Sequence, residues 1–327
     1  MAQIPVPREL LDFIKNSNKF IVIGHKEPDG DCVGSQLALC SALRRLGKEA
    51  IACSAGPFDR PEIRPYAPLF TSSLNEKEKN GSAAIIVDCS AASRTGDLEP
   101  LIEGLAVAMI DHHAVTEHAP SAKQTPVFLD PASPSCTILV AALIEELGLE
   151  IIKEEADLLF FGLSTDTGFF RHLNEKGGVA FEVAAKLVSA GANPKNTFLA
   201  VNGGKSFNSR VLLGHILSRA QTFFDGKLIL SYETLEETKL YGQEGRDSDS
   251  LYQLLQSVAG AEVIVIIRQE SADNCTVGFR SGDKIDVAAI AASFGGGGHK
   301  NAAGLSIKGT ISSLMPKIIE AFAKVFH

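Results

Sequence analysis

Two rhythms of apolar and polar positions run along this chain. Short, nearly uninterrupted apolar stretches at residues 20–24, 83–87 and 105–110 read as strands buried on both faces, as in a parallel sheet. Shorter strands are expected at 50–53 and 127–129. Between them lie segments of helical period. Residues 33–46 place Val33, Leu37, Cys40, Leu43 and Leu46 on one face, and Gly47 supplies a stop. Further helices are expected at 136–147, 154–164 and 179–190, whereas 54–82, rich in Pro and Gly, reads as loops. This alternation predicts an α/β fold with a doubly wound, mainly parallel sheet over residues 1–190.

Gly191 and Pro194 break the pattern, and 191–219 reads as a helical linker able to act as a hinge. A second, smaller α/β domain is expected over 220–327, with strands at 227–232, 262–268 and 275–280. Its helices are expected at 248–258, 286–294 and 312–326. Strand order in this part does not follow from the pattern.

Composition narrows the function. A chain of 327 residues with 45% hydrophobic residues has material for two cores. No stretch has the length and apolarity of a membrane span, and the first residues lack a secretory pattern, so a cytoplasmic location is the expectation. The formal net charge is −8 with no Lys/Arg run, which disfavours long duplex DNA as a partner but leaves room for a small anionic ligand. The six cysteines show no paired spacing and read as small core hydrophobes.

The candidate chemistry sits where the apolar runs stop. His25, Asp29 and Asp31 follow the first run, Asp88 the second, and Asp111, His112 and His113 the third, while Asp166 lies near a helix end. Ligands of open α/β sheets collect at the carboxyl ends of strands. Several aspartates gathered there repel one another and are costly to desolvate unless cations hold them. Oxygen and imidazole donors without thiolate suit Mn²⁺, with Mg²⁺, Co²⁺ or Fe²⁺ as alternatives. Gly34 and Ser35, placed near the amino end of the first helix, are expected to offer N–H groups to an anion.

In this order and spacing, His25-x3-Asp29-x-Asp31-x2-Gly34-Ser35, Asp88, Asp111-His112-His113 and Thr165-Asp166-Thr167-Gly168 resemble the four motifs of the DHH phosphoesterase superfamily. The resemblance implies two divalent metal ions. His25, Asp29 and Asp88 would hold one, and Asp31, Asp88, His112 and Asp166 the other, with Asp88 bridging. Asp111 would orient a histidine and His113 would face the substrate phosphate. A water activated between the ions would attack phosphorus in line.

Phe294-Gly295-Gly296-Gly297-Gly298-His299-Lys300-Asn301-Ala302-Ala303-Gly304 resembles the signature of the associated DHHA1 domain. Consecutive glycines can let backbone N–H groups converge on an anion, with His299 and Lys300 adding charge. Arg280 is a further candidate for binding phosphate, Arg268 a weaker one, and Arg171 and His172 weaker still. His118, His172, His215 and His327 match no motif and read as structural.

The pairing of domains resembles the nanoRNase/pAp phosphatase branch. That implies hydrolysis of oligoribonucleotides a few residues long and of pAp. Hydrolysis of cyclic di-AMP or linear pApA is the alternative within the same chemistry, and an inactive nucleotide sensor the alternative outside it. A homodimer is compatible with the sequence.

Overall fold

The structure is a computed structural model, and it describes residues 4–113, 125–242, 245–282 and 284–326. The chain separates into two units, Met1–Gly203 and Gly204–His327. The first unit runs α1 (Arg8–Asn16), β1 (Lys19–Ile23), α2 (Gly30–Arg45), β2 (Glu49–Cys53), α3 (Glu76–Lys79), β3 (Ala83–Val87) and α4 (Glu99–Ile102). It continues with β4 (Val107–Asp111), β5 (Val127–Leu129), α5 (Cys136–Glu146), α6 (Lys153–Asp166), α7 (Gly178–Ser189) and α8 (Pro194–Asn202).

Its five strands are all parallel, in the order β2-β1-β3-β4-β5. Strand period explains the layers. Phe20 and Val22 of β1 face a core shared with Leu39 and Leu43 of α2, Leu139 and Leu143 of α5, and Leu159 and Leu163 of α6. Ile21 and Ile23 face the other side, where Ile86, Met109, Leu98 and Ile102 complete a second, thinner core. The chain passes from β1 to β2 on one side and then crosses back to β3 on the other side of β1. The crevice between the carboxyl ends of β1 and β3 is therefore the switch point of the sheet.

The second unit comprises α9 (Phe207–Ser218), β6 (Gln221–Phe223), β7 (Leu228–Glu233), α10 (Leu235–Tyr241), α11 (Ser248–Gln256), β8 (Val263–Ser271) and β9 (Asn274–Ser281). It ends with α12 (Val287–Ser293), β10 (Gly297–His299), β11 (Ala302–Lys308) and α13 (Ile311–Phe326). Its mixed sheet has the order β10-β11-β9-β8-β7-β6. Val265, Ile267 and Phe279 pack under α12 and α13, and Ile264 and Ile266 pack under α9 and α11.

Several local expectations shift. The helix expected from Val33 begins at Gly30, because Asp29 caps it. Strands β6, β10 and β11 and helix α10 lie where the pattern names no element. Of these, β11 carries a signal in its sequence, since Leu305 and Ile307 alternate with Ser306 and Lys308. Among the described residues, no helix is long and apolar enough to cross a membrane.

Candidate metal centre

Two helix amino ends and three strand ends converge on one point. After β1 the chain passes His25 and enters α2 at Asp29, whose Oδ1 accepts the N–H groups of Asp31 and Cys32, both at 3.1 Å. Asp31 is buried in the first turn of α2. Its Oδ2 accepts the N–H of Cys136 at 2.6 Å and its Oδ1 that of Thr137 at 3.0 Å, at the start of α5. Asp31 thus accepts two otherwise unpaired N–H groups at the positive end of α5. This placement corrects the reading of Gly34 and Ser35. They lie beyond the first turn of α2, where backbone N–H groups bond within the helix, and the accessible donors of that turn are already taken by Asp29.

Close helix packing brings in Asp166. A Cβ on Gly34 would stand 2.5 Å from the Leu158 carbonyl oxygen, and one on Gly162 would stand 2.5 Å from Thr137 Cγ2 and 3.0 Å from Asp31 Cα. Glycine at both positions lets α6 lie against α2 and α5, so its last residue, Asp166, comes beside Asp31.

Asp88 follows β3 in a left-handed backbone conformation, φ 59°, which costs a non-glycine residue about 1–2 kcal/mol. Its carboxylate is buried and central. Oδ2 lies 3.5 Å from His25 Nε2, while Oδ1 lies 3.4 Å from His112 Nε2 and 3.8 Å from His113 Nδ1. His112 Nε2 is also 3.7 Å from Asp31 Oδ2 and 3.6 Å from Asp166 Oδ2, and His25 Nε2 is 3.9 Å from Asp29 Oδ1. These gaps exceed ordinary hydrogen bonds. Two donors each about 2.1 Å from one ion stand about 3.0 Å apart at a right angle and about 3.4 Å apart at a tetrahedral angle.

The imidazoles are oriented from behind. His25 Nδ1 lies 2.8 Å from the Lys26 carbonyl and His112 Nδ1 lies 3.2 Å from that of Ser133. With each Nδ1–H donated to a carbonyl, each Nε2 is turned toward the carboxylates, the orientation ligating histidines take. His113 differs. Asp111 Oδ1 accepts the N–H groups of His112 and His113 and lies 2.7 Å from His113 Nδ1, so Asp111 orients His113, which stays half-exposed.

The charges are mutually dependent. Burial is the largest effect on Asp88 and raises its pKa, yet the neighbouring imidazoles of His112 and His25 bring it below the usual carboxylate value. Burial together with repulsion from Asp88 and Asp166 pushes Asp31 well above that value, despite His112. Burial pushes Asp166 up to about 6, against the pull of His112. Burial lowers the two imidazoles, but the carboxylates more than offset it. Asp88, Asp31 and Asp166 carry His112 to about 10, and Asp88 and Asp29 help raise His25.

A divalent cation fits this set. The donors are carboxylates and imidazoles, and Asp88 Oδ1 is buried without a hydrogen-bond partner. His25 and Asp88 form one group of close donor atoms together with Cys32, and Asp31, His112 and Asp166 form another. Asp29 lies at the margin of the first group. Sequence reading missed Cys32. Burial, reinforced by Asp88 and Asp29, holds its thiol well above the ordinary value, and it donates to Gln36 Oε1 at 3.5 Å. Placing the cap at Asp29 would have put Cys32 in the first turn of α2, facing the same crevice.

The substrate candidates of the second unit are more dispersed in kind. Arg280, on β9, holds its guanidinium over the Tyr252 ring at 4.6 Å and donates from Nη1 to the Phe279 carbonyl. Arg268 is engaged inside the unit, 3.2 Å from Glu233 and 3.0 Å from Ser248 Oγ, and so is not offered to a ligand. Gly297, Gly298 and His299 form edge strand β10, paired antiparallel with Gly304, Ala303 and Ala302. Successive N–H groups of a strand point in opposite directions, so these three do not converge as a turn would. Gly296 immediately precedes the strand, and His299 at its end and Lys300 just beyond are exposed. His172 is exposed and His215 pairs with Glu237, whereas His118 and His327 lie outside the described residues.

A parallel sheet with carboxylates and imidazoles gathered at its switch point, followed by a mixed-sheet unit, defines a two-unit α/β protein with a candidate metal centre. The model of the DHH family N-terminal domain matches residues 19–163, and that of the DHHA1 domain matches 234–327. The chain belongs to the DHH family. It is 32% identical over 298 residues to the bifunctional oligoribonuclease and PAP phosphatase NrnA of Thermus thermophilus, covering 91% of this chain and 87% of that one. Among solved structures, it shares its fold with an exopolyphosphatase-related protein from Bacteroides fragilis, with a TM-score of 0.75 at 22% identity over 97% of this chain and 96% of the other. Exonuclease RecJ bound to manganese is similar at a TM-score of 0.53 and 19% identity, over 100% and 96%.

Proposed function

We propose that the chain is a metal-dependent phosphoesterase that hydrolyses very short oligoribonucleotides to mononucleotides and pAp to AMP. One observation carries the reading: the two oxygens of Asp88 face different histidines, the arrangement a carboxylate shared by two ions requires. The substrate class rests on the similarity to the oligoribonuclease and PAP phosphatase over most of both chains.

In this reading His25, Asp29 and Asp88 hold one ion, and Asp31, Asp88, His112 and Asp166 hold the other. Mn²⁺ suits these donors, with Mg²⁺ or Co²⁺ as substitutes. Such a pair of ions supplies a water acidic enough to attack phosphorus near neutral pH and charge to stabilise the phosphoryl oxygens. The protein's own groups do the rest. Asp111 fixes His113 by its Nδ1 and, as the largest influence, raises its pKa, so the opposite ring edge can donate a proton or hydrogen bond to a phosphate oxygen. Residues 1–190 carry this chemistry. Arg280, Gly296, Gly297, Gly298, His299 and Lys300 of the second unit are the further candidates for binding nucleotide.

A panel with Mn²⁺, Mg²⁺ and Co²⁺ tests the proposal: pAp, dinucleotides, five-mers, long RNA, pApA, cyclic di-AMP and pyrophosphate. Turnover of pAp and the shortest oligoribonucleotides, falling steeply with length, is expected. Exclusive turnover of pyrophosphate, or none with any metal, overturns it.

A further inference from the structure

The turn after Asp166 holds an aromatic pair that the metal chemistry does not use. Gly168, Phe169 and Phe170 occupy the left-handed region in succession, with φ of 55°, 54° and 69°. Two consecutive phenylalanines there are costly, by roughly 1 kcal/mol or more each. The strain splits the rings apart. Phe170 turns inward, stacking on Phe181 at 5.0 Å and approaching Phe160 in the core. Phe169 turns the other way and belongs to none of the core clusters among the described residues. It meets Phe198 of α8 edge-to-face, with centroids 5.2 Å apart and an interplanar angle of 75°.

Phe198 is 51% exposed, and its neighbour Leu199 is 54% exposed. Phe181 is likewise 57% exposed, but Phe170 also packs against the core, and core packing does not account for Phe169 on the same strained backbone. Phe169 lies three residues past Asp166, so its Cα is within about 11 Å of that residue. Arg171 is pinned beside it, with Nε donating to the Gly168 carbonyl at 2.7 Å. An aromatic face this close to a phosphate site matches the span from a nucleotide's phosphate to its base, and every base has a face that stacks on an aromatic ring.

We propose that Phe169 and Phe198 form a stacking platform for a nucleobase of the substrate whose phosphate sits at the metal centre. The proposal rests on the phosphoesterase reading and adds a reason for the substrate to carry a base. Such a platform is tolerant of base identity and selects nucleotides over phosphoesters that lack a base.

The chain contains no tryptophan, so F198W introduces a single reporter at an exposed position. AMP is expected to quench its fluorescence, while ribose 5-phosphate and inorganic phosphate are not. In parallel, the preference for pApA over its counterpart lacking bases is expected to fall about tenfold in F198A, mainly through KM, the size of one weak stacking contact. Absence of quenching by AMP, or a preference unchanged in F198A, overturns the platform. The two readings fail differently. Wild-type protein that hydrolyses no phosphoester removes the functional reading, and the AMP titration of F198W still decides the platform. Wild-type protein that hydrolyses phosphoesters with and without bases equally well removes the platform alone.

Discussion

Asp31 Oδ2 accepts the backbone N–H of Cys136 at 2.6 Å, joining the first turn of α2 to the first turn of α5 across 105 positions of sequence. The same carboxylate faces His112. One side chain therefore fastens two helices and serves the candidate centre, and the two roles can be separated by mutation.

Asp31→Ala removes the acceptor for two helix-start N–H groups. Loss of such a cap costs about 0.5–2 kcal/mol, or a few degrees of melting temperature in a protein of this size. In the metal-free protein Asp31→Ala is expected to melt below Asp31→Asn, which keeps an acceptor without the charge repelled by Asp88 and Asp166, and a Mn²⁺ titration to show a weaker stabilising effect of the metal on both. Equal melts of the two metal-free variants would contradict the capping role.

Asp88→Asn preserves shape but leaves a neutral group between His25 and His112. Metal content, counted by atomic emission, is expected to fall, and turnover to drop at least ~100-fold, as for loss of an electrostatic group at a reacting phosphate. Full metal occupancy with normal turnover would remove Asp88 from the centre.

Gly34→Ala tests whether close approach of α2 and α6 sets the site. The new Cβ would meet the Leu158 backbone oxygen at 2.5 Å, so the helices must separate. Overpacking of this kind costs about 1–3 kcal/mol. Metal affinity is expected to fall with stability, because Asp31 and Asp166 ride on the two helices.

In the second unit, buried Glu233 is held by Arg246 and Arg268, and Arg246 also reaches Glu270. Arg246→Met leaves Glu233 with Arg268 and the Thr238 hydroxyl, at an expected cost of about 1.5–3 kcal/mol for the lost charged hydrogen bonds. Denaturant unfolding of the full chain measures it, and a change below about 0.5 kcal/mol would show the network to be dispensable.

The same unit is expected to weaken in acid. Burial is the largest effect on Glu237, Asp247 and Glu270 and raises each pKa. Arg219 overrides it for Glu237, Ser250 and Arg210 for Asp247, and Thr276 and Arg246 for Glu270, so all three sit below their usual values. A carboxylate whose folded pKa is depressed contributes stability above its unfolded pKa and loses it as pH falls through the folded one. Amide protection of β7 and β8 is therefore expected to hold down to about pH 4.5 and decline below it. Protection rising on acidification would reverse the sign.

Much of the first unit could be read from local pattern. The runs at 20–24, 83–87 and 105–110 are apolar because both faces of β1, β3 and β4 are covered, and acids that stop such runs must emerge at strand ends. The residues of the candidate centre were legible for that reason. The second unit was less so. Its strand β10 is made of glycines and a histidine, which carry no strand period, and it exists because β11 offers a partner.

Sequence alone determined which side chains could gather, since strand length, parallel crossover and the cap at Asp29 are written in neighbouring residues. Tertiary structure alone decided which atoms meet. That Asp31 caps α5, that Asp111 orients His113 rather than His112, that Cys32 enters the crevice and that Arg268 turns to Glu233 all depend on packing between segments far apart in the chain. Periodicity reports which face of an element is buried; it carries no information on what another element will bring to that face.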